Sequence, residues 1–128
     1  MSEETIPDGE ILLRRIPPGS PWLEPPNCIT SANFKLSKHK NELGLSVYRE
    51  SIVSAEAVLE KPDAKPGSFV VKATAREIRE LRDGNGKPLS LDVIADEKDP
   101  GHAEIRSLVP GRISDSQSNA LKRVFRRH

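Results

Sequence analysis

Cysteine is nearly absent. Cys28 is the single one in 128 residues, which excludes an internal disulfide and any cysteine-cluster metal site. A lone thiol suits a reducing compartment, so the expected location is the cytoplasm, with Cys28 a small buried residue rather than a nucleophile. Histidine is scarce too: His39, His102 and His128 stand far apart, none with a second His or Cys at ligand spacing, so no metal is expected. One Trp, one Tyr and three Phe are too few for the stacking platforms that hold single-stranded nucleic acid. No apolar run approaches the roughly 18 residues of a membrane span, so no membrane partner is expected. The opening Met-Ser-Glu-Glu-Thr is acidic where a secretory leader would be basic and then apolar. Dinucleotide and Walker loops are missing, as is a G-x-S-x-G elbow, and no cofactor is expected. Asp83-Gly84-Asn85-Gly86 lacks the remainder of an EF-hand and reads as a turn.

What is present is a chain of one-domain size, 30% charged with a net charge of only +1. The balance hides an asymmetry. Glu3, Glu4, Asp8 and Glu10 gather at one end, and Lys122, Arg123, Arg126 and Arg127 at the other. Residues 1–10 read as a flexible acidic tail, and residues 11–128 as a single α+β domain. Pro17, Pro18, Pro21, Pro25 and Pro26 hold the following arm extended, and no regular ladder is expected there. Trp22, inside the arm, is expected to pin it to the core. Residues 36–42 are polar and read as a loop.

Strands are expected over 11–16, 43–48, 68–73, 89–94 and 103–109, where apolar residues alternate or cluster. Ser54 caps a short helix to residue 60. Thr74 and Glu77 form a capping box for a second helix that Asp83-Gly84-Asn85-Gly86 would end, with a strand continued into Ile78 as the competing reading. Ser114 and Gln117 form another, ahead of an apolar stripe of Ala120, Leu121, Val124 and Phe125. The expected fold is thus α+β. It has a mixed or antiparallel sheet of four to five strands, two short helices and a C-terminal amphipathic helix.

Few residues could do chemistry. His102 follows the Asp99-Pro100-Gly101 turn at a strand start, where an imidazole could act as acid, base or switch, or bond a loop carbonyl and lock the turn. Arg14 and Arg15 are adjacent, so a strand sends them to opposite faces and one could grip a phosphate or carboxylate. Ser46 and Tyr48 share a strand face, with Glu50 and Glu56 nearby in sequence, but a hydroxyl nucleophile needs a neighbouring base and none adjoins them in sequence. The basic C-terminal residues Lys122, Arg123, Arg126 and Arg127 could contact nucleic-acid phosphates, or simply suit a helix C-terminus.

Four pieces in order carry a resemblance: Leu12-Leu13-Arg14-Arg15-Ile16-Pro17-Pro18, Thr30-Ser31-Ala32-Asn33-Phe34, Leu45-Ser46-Val47 and Asp99-Pro100-Gly101-His102-Ala103. Over residues 11–125 the chain resembles a group of small bacterial proteins that share these segments and have no assigned activity. Asp99 replaces the group's Asn, and Gly101 its Ala. A more remote likeness is to RES-type NAD-handling toxins. That likeness would nominate Arg14 or Arg15, Tyr48, Glu56 and His102, although the toxins' Gly-Gly-Arg-Trp-like segment has no counterpart here.

Two functions are therefore expected. The first is a non-catalytic interaction module with a protein partner, such as an immunity, antitoxin or defence-cassette component. It rests on the lack of a complete catalytic constellation. The alternative is a small enzyme that acts on a nucleotide or NAD-like ligand. In it, Arg14, Arg15 or Ser46 would bind the ligand, and His102, Tyr48 or Glu56 would do the chemistry.

Overall fold

A computed structural model describes residues 5–19, 22–24, 28–35, 44–109 and 113–128. Its spine is strand β1 (Ile11–Ile16), in which Leu12 and Leu13 point to opposite faces and are both fully buried. A strand buried on both faces belongs inside a sheet. β1 accordingly lies between β4 (Leu45–Arg49) and β5 (Phe69–Thr74), antiparallel to each. β7 (His102–Ser107) flanks β4, and β6 (Leu91–Ala95) lies beyond β7. On the other side β8 (Arg126–Arg127) closes against β5. The order is β6-β7-β4-β1-β5-β8, and every neighbouring pair is antiparallel.

Two expectations are corrected here. Among the described residues the sheet has six strands instead of four or five. The extra one, β8, is two exposed arginines with no apolar alternation to mark it. A separate two-stranded ladder, β2 (Leu23–Glu24) with β3 (Cys28–Ile29), runs through the Pro-rich arm where none was expected. Trp22 does pack against the main core, as its place in that arm suggested. The loop expected at 36–42, the Pro110-Gly111 turn and the side chain of Cys28 lie outside the described residues.

Local chemistry sets the helices. Ser54 Oγ accepts the Ala57 N–H at 3.1 Å and starts α1 (Ala55–Leu59). Thr74 and Glu77 make the reciprocal capping box of α2 (Ala75–Arg79), as Ser114 and Gln117 do for α3 (Asp115–Val124). α2 stops at Glu80, ahead of the Asp-Gly-Asn-Gly segment. That segment forms its own turn, in which Asp83 Oδ1 takes the N–H groups of Asn85 and Lys87 and Gly86 adopts φ 82°.

The sheet's two faces differ. One is closed. Leu12, Ile16, Val47, Val71, Ala73, Val93 and Ile105 pack there with Phe34 of the 3-10 helix Ser31–Phe34, Ile78 of α2 and Leu121 of α3. The other carries a smaller cluster, in which Leu13 and Val70 meet Ala55 and Val58 of α1, with Ile11, Tyr48 and Val53 at its margin. Residues 5–10, part of the stretch expected to be a flexible tail, are held in place. Thr5 bridges to Ile94, Ile6 is buried in the main core, and Asp8 pairs with Arg79. Glu10 forms a buried ion pair with Arg49 at 2.9 Å. Asp8 and Glu10 therefore find their cations in the body of the fold. No helix among the described residues is long and apolar enough to cross a membrane.

Candidate functional site

The less covered face of the sheet brings together residues that are remote in sequence. Tyr48 and His102 are register partners on β4 and β7, so their side chains share a face. Their rings meet edge to face with centroids 5.6 Å apart. Ser46 lies two residues along β4 on that same face.

His102 is fixed by the turn before it. Its N–H donates to the Asp99 carbonyl at 2.9 Å, and the Gly101 N–H to Asp99 Oδ1 at 3.3 Å. The Gly101 carbonyl accepts the Arg49 N–H at 2.9 Å, which ties the turn to the end of β4. A Cβ at Gly101 would lie 2.2 Å from Val53 Cγ2, so the close approach needs glycine.

Both imidazole nitrogens are engaged. Nδ1 lies 2.9 Å from Asp96 Oδ2, and Nε2 lies 3.0 Å from Ser46 Oγ. Asp96 follows β6 directly, and its N–H donates to the His102 carbonyl at 3.2 Å, so the β6–β7 pairing delivers the carboxylate to the ring. The Lys98 N–H first, and then the imidazole, hold the Asp96 carboxyl below the ordinary carboxylate range. An ionised carboxylate only accepts, so in the neutral imidazole the proton sits on Nδ1 and Nε2 accepts the Ser46 hydroxyl. The His102 side chain is 18% exposed and that of Asp96 32%, which leaves the line partly sheltered but reachable. Burial is the main force raising the Tyr48 phenol above its usual 10.0, so it stays protonated at neutral pH. Among the described residues nothing accepts from its hydroxyl, and Lys61 Nζ lies 5.0 Å above its ring.

The other candidates separate. Arg14 turns to the closed face, where Nε donates to the Asn33 carbonyl at 2.7 Å and Nη1 to the Ser46 carbonyl at 2.6 Å. Its guanidinium lies 5.8 Å from the Phe34 ring centre. Arg14 thus stitches main chain together and does not share a site with His102. Arg15 is on the face of Ser46 and Tyr48. It donates to the Val58 carbonyl at 3.3 Å and to Asp63 at 2.9 Å. Glu56 is exposed on the first turn of α1 and takes no part in the polar contacts around His102. The set nominated by the toxin likeness therefore does not assemble as a whole. Glu50 pairs with His128 instead, at 3.1 Å. At the basic end Arg126 is paired with Glu77 and Arg127 lies 4.3 Å above the Phe69 ring, so only Lys122 and Arg123 remain for phosphates.

Asp96 is the residue that sequence reasoning missed. Its signal is tertiary: once 91–95 and 102–107 fold as a hairpin, Ala95 faces Ala103 and residue 96 must lie beside residue 102. The base that Ser46 lacked in sequence is His102, 56 residues away. The four resemblance segments also meet, with Arg14 joining Asn33 to Ser46 and Ser46 joining His102. Among the described residues no group of three His, Cys, Asp or Glu could hold a metal ion. Comparison with protein-family profiles, curated proteins and solved structures finds no match for the chain.

Proposed function

We propose that this protein is a small hydrolase of acyl compounds in which Ser46 is the nucleophile, His102 the general base and Asp96 the carboxylate that orients it. The observation that carries this reading is the single imidazole held between a carboxylate at Nδ1 and a hydroxyl at Nε2. That is the order in which a serine nucleophile is activated. Ser46 Oγ would attack an acyl carbonyl while His102 Nε2 takes its proton and then returns it to the leaving group. Asp96 favours the imidazolium formed in between. The developing oxyanion needs hydrogen-bond donors close to Ser46 Oγ. The protonated Tyr48 hydroxyl, on the same face, suits that part. The lone thiol keeps the cytoplasm as the proposed setting.

A fluorophosphonate probe, read by intact mass, tests the nucleophile. One adduct per chain is expected, lost in Ser46→Ala and strongly slowed in His102→Ala. An adduct that persists in Ser46→Ala, or no adduct where a reference serine hydrolase is fully labelled, would sink the reading.

One observation favours the second reading, a protein-interaction module of the immunity or antitoxin kind. Leu108 and Val109 stand 61% and 55% exposed at the end of β7. A stoichiometric partner captured from the native cells and released by Leu108→Asp would support it.

A further inference from the structure

The flank of the Ser46–His102 line carries two cations and one loosely held anion. Arg15 lies on β1 two residues past Leu13, the register partner of Tyr48, and so on the same face as Tyr48 and Ser46. The Val58 carbonyl, near the end of α1, anchors its Nη1, and this turns Nη2 outward to Asp63. The two ends of that ion pair are unlike: the Arg15 side chain is 18% exposed and the Asp63 side chain 74%. Lys61, just past the end of α1, sits over the Tyr48 ring and takes part in no ion pair among the described residues. Asp63 is also within the electrostatic reach of Lys61. Asp63, solvated, is therefore the carboxylate set against these two cations, one of them anchored, beside an aromatic ring that touches the general base; Asp99 also acts on Tyr48, and Glu104, the register partner of Ser46, is held by Arg106.

An exposed carboxylate on a short loop is readily exchanged for one from solution, because its ion pair is screened and weakly held. Tyr48 is two residues from Ser46, which is about 7 Å along a strand. We propose that Lys61 and Arg15 select acyl esters that carry a second, ionised carboxylate, which replaces Asp63 on Arg15 while the ester carbonyl reaches Ser46 Oγ. This rests on the hydrolase reading and specifies its substrate class. In the reaction the Ser46 Oγ–acyl bond forms as the ester C–O bond breaks, and the Ser46 proton passes through His102 to the departing alkoxide. Water then adds to the acyl-serine, its proton passing through His102 to Ser46 Oγ. The net change is monoester carboxylate plus water to dicarboxylate, alcohol and one proton released to solvent.

The test compares two p-nitrophenyl esters of equal length, mono-p-nitrophenyl glutarate and p-nitrophenyl pentanoate. The expected kcat/KM ratio is about tenfold in favour of glutarate at low salt, and it falls as salt is added. Lys61→Met brings the ratio near unity, and Asp63→Asn raises it. A ratio near unity in the wild type, with turnover that still depends on Ser46, overturns the charge selection and leaves the nucleophile reading standing. If neither ester is turned over, binding of monomethyl glutarate is measured by NMR shifts at Tyr48 and Lys61. Binding lost in Lys61→Met upholds the anion subsite without the nucleophile, and absence of binding overturns it.

Discussion

Arg14 and Arg15 are adjacent and identical, yet the sheet gives them opposite work. Arg14, on the closed face, spends its guanidinium on two main-chain carbonyls and lies against Phe34. Arg15, on the more open face, holds the end of α1 and an exposed aspartate. The same division runs across the whole sheet. The closed face is apolar and covered by α2, α3 and the 3-10 helix. The other is apolar only beneath α1 and becomes polar along Ser46, His102 and Asp96. A covered face is organised by burial, which tolerates few polar groups and satisfies those it has. A face left partly open can keep a hydroxyl, an imidazole and a carboxylate in line, because water can still reach them.

The sharpest way to break this comparison is to truncate each arginine. Arg14→Ala leaves two carbonyls without their donor and is expected to cost about 2–4 kcal/mol in urea unfolding. Arg15→Ala should cost about 1 kcal/mol or less, since its ionic partner is solvated. Equal losses would show that the two faces are not energetically distinct. A smaller effect belongs to the turn that aims His102. Gly101→Ala should cost about 1–3 kcal/mol through the clash with Val53, and Val53→Ala should recover much of that loss in the double variant. Additive losses would refute the contact.

The smallest expected effect concerns acid. Burial opposes ionisation of Glu10, but hydrogen bonds from Ser51 and Arg49 outweigh it and hold the carboxyl below its ordinary 4.5. A group depressed in the folded state adds stability above its unfolded value, and this is lost as pH falls through the folded one. Melting temperature against pH should therefore decline below about 4.5, and less steeply in Glu10→Gln, which starts from a lower plateau. Identical slopes would remove Glu10 from the acid response.

Much of the fold was legible because its signals are local. Two capping boxes and the Ser54 cap are visible as residues three apart, and the structure forms all three. The alternation of β4 and β6 and the short apolar-basic run of β1 mark them as strands before any partner is known. β8 was not legible, since Arg126–Arg127 is a strand only because β5 offers it an edge. Residues 5–10 read as a tail from their acidity, although Glu10 is neutralised by Arg49, which lies 39 residues away.

The candidate site divides in the same way. His102, Ser46, Tyr48 and Arg15 could be nominated by residue type and by their places on strands. Asp96 could not, because nothing about an aspartate after Ala95 distinguishes it until β6 folds back on β7. The sequence by itself determined the caps, most of the strands and that the two arginines of β1 would take opposite faces. These follow from backbone geometry and from the two-residue period of a strand. Only the tertiary structure decided that a serine 56 residues from a histidine would become its hydrogen-bond partner. That choice depends on strand order and register, which are settled by how the apolar faces of the whole chain pack together.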